Sequence, residues 1–313
     1  MDFQVLFSQM IQLFAMMVIG FVLFKVGILS RDFDTKLTRF IVDVTMPLLI
    51  ISSVMEQTGD KDYKSVGIVF AVSAIWMIVM PAVGFVIVKL FRFPVKEQGL
   101  YMFMTTFSNI GFMGFPIISA LYGEKAVLYT AVFNLVFTLA IYSIGILLLK
   151  YKNSDGAQVN LWKEMRSKLL STGFLGALLA IILYFIPITY PAVLTGIVSK
   201  IGNLTSPLAM LLIGATLAGM PLAKIVKGFR PYLFALLKQI AIPLLAWPIL
   251  TLVIKDSYMR GVLFVLILMP VANNSVLFSN RYGGDEELAA KNVFITTVLS
   301  MISIPLCAWI VGF

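Results

Sequence analysis

The chain contains 313 residues, of which 60% are hydrophobic and 12% are charged, and its mean hydropathy is +0.98. Soluble domains carry about 25% charged residues, so this composition excludes a water-soluble fold. The sequence has no His and a single cysteine, Cys307, which excludes imidazole chemistry, an intrachain disulfide and a Cys/His metal cluster, and no cofactor is predicted.

Ten apolar runs of about 20 residues follow one another along the chain, and each is long enough to cross ~30 Å of hydrocarbon as a helix. Because the runs are continuous rather than alternating, they predict helices and not the strands of a membrane barrel. The predicted fold class is an all-α polytopic membrane protein with ten transmembrane helices, called spans 1–10 in chain order. The runs lie near residues 5–24, 40–55, 66–88, 98–121, 127–149, 169–187, 193–219, 231–254, 259–280 and 292–311.

Most of the 24 Lys and Arg residues fall in the odd-numbered loops between these spans. The positive-inside rule places such loops in the cytoplasm and therefore predicts that both termini are extracytoplasmic in a multi-pass protein of the cell membrane. The alternation explains the net charge of +9 better than a nucleic-acid surface does. The predicted partner is thus the lipid bilayer, and no nucleic-acid partner is expected.

Short motifs recur at one constant offset along the chain, which indicates an internal repeat. The sequence DVTMPL at residues 43–48 matches NLTSPL at residues 203–208. The same offset takes the Tyr-Gly pair at residues 122–123 onto that at residues 282–283.

The motifs predict two repeats of five spans each, residues 1–150 and 169–313, joined by a cytoplasmic linker at residues 151–168. Since five is odd, the second repeat enters the membrane from the opposite side. Carriers with inverted repeats bind their substrate at the repeat interface near the bilayer midplane, although channels also carry such repeats. Pro47 and Pro207 are predicted to kink spans 2 and 7.

Spans 4 and 9 each combine proline with asparagine near the middle of the run. Proline removes a backbone hydrogen bond and glycine lowers the cost of unwinding, so both helices are predicted to break and to cross. Opposed half-helix N-termini would place partial positive charge at mid-membrane, which favours an anion, while Asn amides supply donors and acceptors. The alternative is that the prolines only bend the helices and the Asn and Ser side chains join neighbouring helices. The predicted substrate-binding residues are Asn109, Gly111, Pro116, Pro270, Asn273, Asn274 and Ser275.

Two ionisable residues, Asp43 and Lys238, lie inside apolar runs, where charge is costly and marks candidates for coupling or gating. Asp43 is interpreted as a protonation or cation site, as a gate, or as half of an ion pair with Lys238. The alternative is that Asp43 lies close to the start of its span and that Lys238 extends to the cytoplasmic interface. The position matching Asp43 in the second half is the neutral Asn203, so any charge-dependent role belongs to one half only.

Motifs from four spans together make the chain similar to the auxin efflux carrier family. The resemblance covers essentially the whole chain. The linker is much shorter than the regulatory loop of plant auxin exporters, so the bacterial type is the closer likeness. The motifs are residues 43–47 in span 2, SNIGFMGFP in span 4, SPLAMLLIGATLA in span 7, and MPVANN followed by YGGD in span 9.

This resemblance implies a fold similar to that of the bile acid symporters, with spans 1, 2, 6 and 7 as a scaffold. Spans 3–5 and 8–10 would then form a moving transport domain that contains the crossing helices. The resemblance also implies transport of auxin-like monocarboxylates or of dicarboxylates such as malate and malonate, and a homodimer formed through the scaffold. Coupling to Na⁺ or H⁺ stays open, because related folds use sodium, protons or neither.

The predicted function is a secondary transporter of small organic anions that works by elevator-type alternating access. The alternative is an anion channel or a membrane sensor on a carrier-like fold, although the charge rings and carbonyl filters of channels are not recognisable. An enzyme is not expected, because intramembrane serine proteases and metalloproteases need His and an aspartyl protease needs two intramembrane Asp. Asp43 is the single Asp that falls inside an apolar run, so the pair that an aspartyl protease needs is missing.

Overall fold

A computed structural model describes residues 3–56, 62–151, 161–186, 188, 190–220 and 228–312. Within these ranges the regular secondary structure is helical, apart from one isolated antiparallel bridge between Ser108 and Val271. The prediction of an all-helical membrane protein is confirmed. Half of the predicted linker, residues 152–160, lies outside the described residues.

Seven of the described helices are long and apolar enough to cross a membrane, and they coincide with spans 1, 2, 3, 5, 7, 8 and 10. Three shorter apolar helices, Ile110–Tyr122, Thr172–Phe185 and Ser257–Ile267, fall in spans 4, 6 and 9. Spans 4 and 9 are short because each is interrupted. The multi-pass character is therefore confirmed, while the count of ten, the inverted repeat and the side on which the termini lie stay predictions.

Several helices of the first half begin at a side chain that caps the N-terminus. Ser30 accepts from the backbone N–H of Phe33, and Asp62 accepts from that of Ser65. The helix of span 2 begins well before the apolar run because this capped polar turn precedes it. The bounds are α1 Phe3–Lys25, α2 Arg31–Phe40, α3 Met46–Met55, α4 Tyr63–Leu90, α5 Gln98–Thr106, α6 Phe115–Tyr122, α7 Glu124–Ala140 and α8 Ile146–Leu149.

The second half uses the same kind of cap. Ser171, Asp256 and Asp285 each accept from a backbone N–H three residues ahead, at the starts of spans 6, 9 and 10. The bounds are α9 Leu161–Leu169, α10 Thr172–Phe185, α11 Ala192–Gly202, α12 Thr205–Ala218, α13 Phe229–Leu236, α14 Ile242–Val253, α15 Ser257–Ile267, α16 Asn274–Tyr282 and α17 Glu286–Ile310.

Three π-helical segments of the described chain end two residues before a proline: Ile41–Thr45, Ile110–Gly114 and Leu237–Ala241, before Pro47, Pro116 and Pro243. A proline ring clashes with the carbonyl four residues earlier, and the wider π turn relieves that clash. Span 2 therefore changes its helical pitch at the place where Pro47 predicts a kink. In span 7 the helix is interrupted between α11 and α12, just before Pro207.

Helix α1 packs along α12 so closely that glycine is required at the contact. A Cβ built on Gly20 would lie 2.1 Å from the carbonyl oxygen of Leu211, and one built on Gly214 would lie 1.9 Å from that of Met17. Helices α10 and α11 pack against α3. These contacts gather spans 1, 2, 6 and 7 into one set of helices, called the scaffold group.

The remaining spans pack mainly on one another and are called the crossover group. Helix α4 packs on α5 and α7, while α13 and α16 pack on α17. Helix α7 of the crossover group also contacts α3 and α10 of the scaffold group. The two groups thus meet along spans 2, 5 and 6, where the candidate site lies, and also where α1 and α12 contact α6.

Candidate functional site

The interrupted helices of spans 4 and 9 pair with each other through their extended residues. Helix α5 ends at Thr106 and α15 ends at Ile267, and neither chain resumes helical geometry at once. The backbone N–H of Asn109 donates to the carbonyl of Pro270 at 2.7 Å, and that of Ala272 donates to the carbonyl of Phe107 at 3.1 Å. Residues 107–109 and 270–272 form this paired segment, called the crossover.

A broken helix leaves backbone groups without their usual partners, and side chains of spans 8 and 10 bind them here. The N–H of Val271 donates to Thr296 Oγ1 at 3.2 Å. A further bond, from Gln239 Nε2 to the carbonyl of Thr296 at 2.8 Å, joins span 8 to span 10 rather than to the crossover backbone. On the span 4 side, Lys238 Nζ donates to the carbonyl of Thr105 at 3.0 Å. The crossover is therefore held by buried polar contacts from neighbouring helices.

A cavity of about 280 Å³ lies beside the crossover, between the two groups of helices. Spans 2 and 6 line one side with Val42, Met46 and Phe174, and spans 4, 5 and 9 line the other. No acidic residue lines this cavity among the residues that the structure describes. Its amide and hydroxyl side chains belong to Thr38, Ser108, Asn109, Asn134, Thr138, Tyr142, Ser171, Asn273 and Asn274.

The side chain of Asn109 accepts one hydrogen bond through its oxygen and has an unpaired donor in its nitrogen. Its Oδ1 accepts from the backbone N–H of Phe112 at 3.3 Å and so caps the second part of span 4. The residue is 3% exposed, and its Nδ2 has no hydrogen-bond partner. Buried amide donors are nearly always paired, so the unpaired Nδ2 of a residue that lines the cavity is a candidate donor to a ligand acceptor.

Four of the seven predicted binding residues line the cavity: Asn109, Gly111, Asn273 and Asn274. Asn273 occupies the N-cap position of α16 without a side-chain cap bond. A Cβ added at Gly111 would meet no atom within 4 Å, so the missing side chain leaves open space at that position.

The other three predicted residues are close to the cavity in sequence but do not line it. Pro116 is buried in α6. Pro270 contributes its carbonyl to the bond from Asn109, which places it in the crossover. Ser275 is fully buried in the first turn of α16, and its hydroxyl has no partner.

Asp43 and Asn203, the matched pair of the predicted repeat, lie outside the cavity lining. The Asp43 carboxylate accepts from Arg39 Nε at 3.3 Å and from the hydroxyl of Thr172, so it joins spans 2 and 6. Asn203 is exposed and its Nδ2 donates to Ser199 Oγ at 3.2 Å. Asp43 and Lys238 have different partners, and the ion pair considered between them is absent from the described structure.

Lys238 differs most from its sequence-based interpretation. The alternative, in which its side chain extends to the cytoplasmic interface, is wrong, because the residue is 0% exposed. Its Nζ donates to the carbonyl of Thr105 and, at 2.8 Å, to Ser108 Oγ. The ammonium therefore lies directly behind the crossover, and Ser108 connects it to the cavity wall.

Polar residues of spans 4, 5, 8 and 10 complete the site and were not predicted. One pattern was available in the sequence: Asn134 and Thr138 are four residues apart and so share one face of α7. Single Thr, Ser or Gln residues within apolar helices give no comparable indication of which neighbour they face. The unpredicted residues are Thr105, Ser108, Asn134, Thr138, Gln239 and Thr296.

A polytopic membrane protein in which two interrupted helices meet beside a polar cavity has the features of a transport protein with a broken-helix substrate site. Residues 5–308 match the family described as Membrane transport protein, and the chain belongs to this family, that of the auxin efflux carriers. The resemblance predicted from the motifs is confirmed. The protein is a membrane transport protein and not an enzyme.

Similar proteins come from archaea and from a mammal. The chain is 22% identical over 290 residues to an uncharacterized transporter of Methanocaldococcus jannaschii, covering 91% of this chain and 92% of the relative. It is 23% identical over 296 residues to an uncharacterized transporter of Methanothermobacter thermautotrophicus, with 93% of both chains covered. It is 21% identical to the lysosomal cholesterol signaling protein of Mus musculus, over 98% of this chain and 38% of that protein.

Proposed function

We propose that the protein is a secondary transporter that binds small organic anions in the cavity beside the crossover. The observation that carries the proposal is the buried Asn109 amide, whose Nδ2 has no partner and whose residue lines the cavity. A carboxylate oxygen is a strong acceptor for such a donor. Auxin-like monocarboxylates and malate- or malonate-like dicarboxylates are the substrate classes to test.

The surroundings of the cavity favour negative charge. Helix α16 begins at Asn274 on the cavity wall, and a helix N-terminus carries partial positive charge and free N–H groups. The absence of acidic residues from the described lining removes repulsion. The volume of about 280 Å³ lies just below the ~300–1,000 Å³ typical of sites for drug-sized ligands, which suits a small anion.

The position of the cavity between the two groups of helices supports elevator-type movement as the proposed mechanism. A substrate held by Asn109 and Asn273 would travel with the crossover group when it slides along spans 2 and 6. The lining positions of spans 2, 5 and 6 lie towards the odd-numbered loops, which are cytoplasmic by the positive-inside rule. We assign this arrangement to an inward-facing state, in the cell membrane, of a homodimer formed through the scaffold group.

Uptake of labelled carboxylates into proteoliposomes tests the proposal. Purified protein is assayed with malonate, malate and indole-3-acetate as probes, together with the variants Asn109→Ala and Asn273→Ala. Asn280→Ala is the matched control, because Asn280 belongs to the same helix as Asn274 but is exposed and bonded to Glu286. We expect the first two variants to lose uptake and the control to keep it; unchanged uptake in both cavity variants would contradict the assignment.

A membrane sensor or an anion channel is the second candidate. The similarity to a mouse protein named for cholesterol signaling favours a sensor, since it extends over nearly the whole of this chain. A sensor binds its ligand without moving it, and a channel moves ions in proportion to voltage without trans-acceleration. Either result in liposomes would replace the carrier proposal.

A further inference from the structure

Lys238 is a buried charge whose role the fold alone does not explain. The side chain is 0% exposed, and no carboxylate among the described residues lies within ion-pair distance of it. Its two hydrogen-bond acceptors are a backbone carbonyl, that of Thr105, and a hydroxyl, that of Ser108. Burying an ammonium is costly unless negative or partially negative groups compensate for the lost water.

The compensation comes from the end of a half-helix. Thr105 lies in the last turn of α5, where the final carbonyls have no intrahelical donor and carry partial negative charge. In transporters with broken helices, carbonyls at half-helix C-termini are the ligands of coupling cations. The Lys238 ammonium, 3.0 Å from the Thr105 carbonyl, thus occupies a position of the kind that a mobile cation fills elsewhere.

Ser108 links the Lys238 ammonium to the cavity. Because Ser108 Oγ accepts from Lys238 Nζ at 2.8 Å, its own O–H is available as a donor, and it has no acceptor among the described residues. Ser108 and the adjacent Asn109 both line the cavity. A hydroxyl that is polarised by an ammonium is a stronger donor towards an anion than an isolated one.

The residue next to Lys238 is hydrogen-bonded as well. Gln239 donates to the carbonyl of Thr296 on span 10, while Lys238 donates to span 4. Both residues lie in the π-helical segment Leu237–Ala241, before Pro243. Two consecutive residues of span 8 therefore bond to different helices, Lys238 to span 4 and Gln239 to span 10.

We propose that Lys238 is the resident cation of the crossover and a positioning residue for the substrate, so that binding of an organic anion needs no Na⁺. The inference rests on the proposed function and deepens it: the ammonium neutralises the end of α5 and, through Ser108, adds positive charge behind the anion. Sodium-dependent carriers obtain this positive charge by binding Na⁺ from solution, whereas in this chain the charge belongs to the Lys238 side chain.

The first experiment needs no substrate. The thermal unfolding midpoint of the purified wild-type protein is measured in NaCl and in choline chloride at equal ionic strength, over a titration of Na⁺. We expect the same midpoint in both salts. A saturable rise with Na⁺ would reveal a sodium site in the wild-type protein and would overturn the inference, whatever the protein transports.

The second experiment measures malonate affinity for the wild type and for Lys238→Met, which removes the charge and keeps a long side chain. We expect wild-type affinity to be independent of Na⁺ and Lys238→Met to bind at least about tenfold more weakly. Lys200→Met is the control, because Lys200 is exposed on α11, and we expect no change. Wild-type affinity in Lys238→Met would overturn the inference and leave the proposed function intact.

A further variant covers the case in which Lys238→Met does not fold. Ser108→Ala keeps the ammonium and its bond to Thr105 but removes the hydroxyl that reaches the cavity. We expect this variant to unfold near the wild-type midpoint and to bind malonate about tenfold more weakly. Unchanged affinity would show that Lys238 does not act on the anion through Ser108. If the wild type bound no carboxylate, that result would instead contradict the proposed function. The sodium titration would still test whether the protein has a sodium site.

Discussion

The backbone N–H of Asn109 donates to the carbonyl of Pro270 across 2.7 Å, and this bond is the shorter of the two that join the interruptions of spans 4 and 9. The same asparagine caps the second part of span 4 through Oδ1 and presents an unpaired Nδ2 in the cavity wall. One residue therefore contributes to the crossover and supplies the donor that we propose for the anion. Substitutions that keep the helix cap and remove the donor test the two roles of Asn109 separately.

Asn109→Asp keeps the cap and removes the donor. A carboxylate at an N-cap position accepts from the backbone as well as an amide does, and the helix N-terminus favours its ionised form. We expect a thermal midpoint close to that of the wild type, but malonate binding weakened by about 1.5–3 kcal/mol or more, because a donor becomes a repelling charge. Isothermal titration of both proteins checks this; equal affinities would show that Nδ2 does not contact the anion.

Thr296→Val removes the acceptor of the Val271 N–H in the crossover. Because that N–H is buried, its loss of a partner is expected to lower the free energy of unfolding by about 1–3 kcal/mol. The adjacent Thr297→Val is the matched control, since Thr297 Oγ1 is buried without a partner, and we expect no loss of stability. Denaturant unfolding in detergent compares the two; equal losses would contradict a specific role for Thr296.

Gly214→Ala tests the close approach of α1 and α12. The added Cβ would lie 1.9 Å from the Met17 carbonyl oxygen, so the helices must separate, and overpacking of this kind costs about 1–3 kcal/mol. Gly196→Ala on α11 meets no atom within 4 Å and is expected to leave stability unchanged or slightly raised. A midpoint for Gly214→Ala equal to that of Gly196→Ala would show that the helices are not packed this closely.

Tyr63 and Phe185 connect the two groups of helices on the side of the even-numbered loops. Their rings stack with centroids 5.1 Å apart and an interplanar angle of 12°, at the start of span 3 and the end of span 6. A reducible thiol cross-link between Tyr63→Cys and Phe185→Cys is expected to stop uptake, because it ties the crossover group to the scaffold group. Reduction should restore uptake, and each single variant should remain active. Uptake that continues after complete cross-linking would contradict relative movement of the groups.

The sequence predicted the interruptions of spans 4 and 9 because proline and asparagine act on the backbone locally. Asn109, Gly111, Asn273 and Asn274 then line one cavity as expected. The direction in which each side chain points was harder to predict, because a helix that is apolar on all faces does not reveal which face packs against a neighbouring helix. For this reason extension of Lys238 to the interface stayed open as an alternative to a coupling or gating role, although the side chain is completely buried.

The partners of Asp43 illustrate the same limit. Its position inside an apolar run singled it out, and Lys238 was the one partner considered for it, whereas its partners in the structure are Arg39 and Thr172. Arg39 is one turn away on the same helix, whereas Thr172 reaches Asp43 only through the packing of span 6 on span 2. Long-range contacts of this kind depend on how the helices are arranged, which no local pattern encodes.

Counterflow in proteoliposomes tests the central claim, that the protein carries organic anions by alternating access. Liposomes are loaded with excess unlabelled malonate, malate or indole-3-acetate and then exposed to a trace of the same labelled anion, with the membrane potential held at zero. We predict a transient accumulation of label above equilibrium for at least one anion, saturable with concentration and absent in Asn109→Ala. Label that only equilibrates, or that enters in proportion to an applied voltage without accumulation, would contradict a carrier.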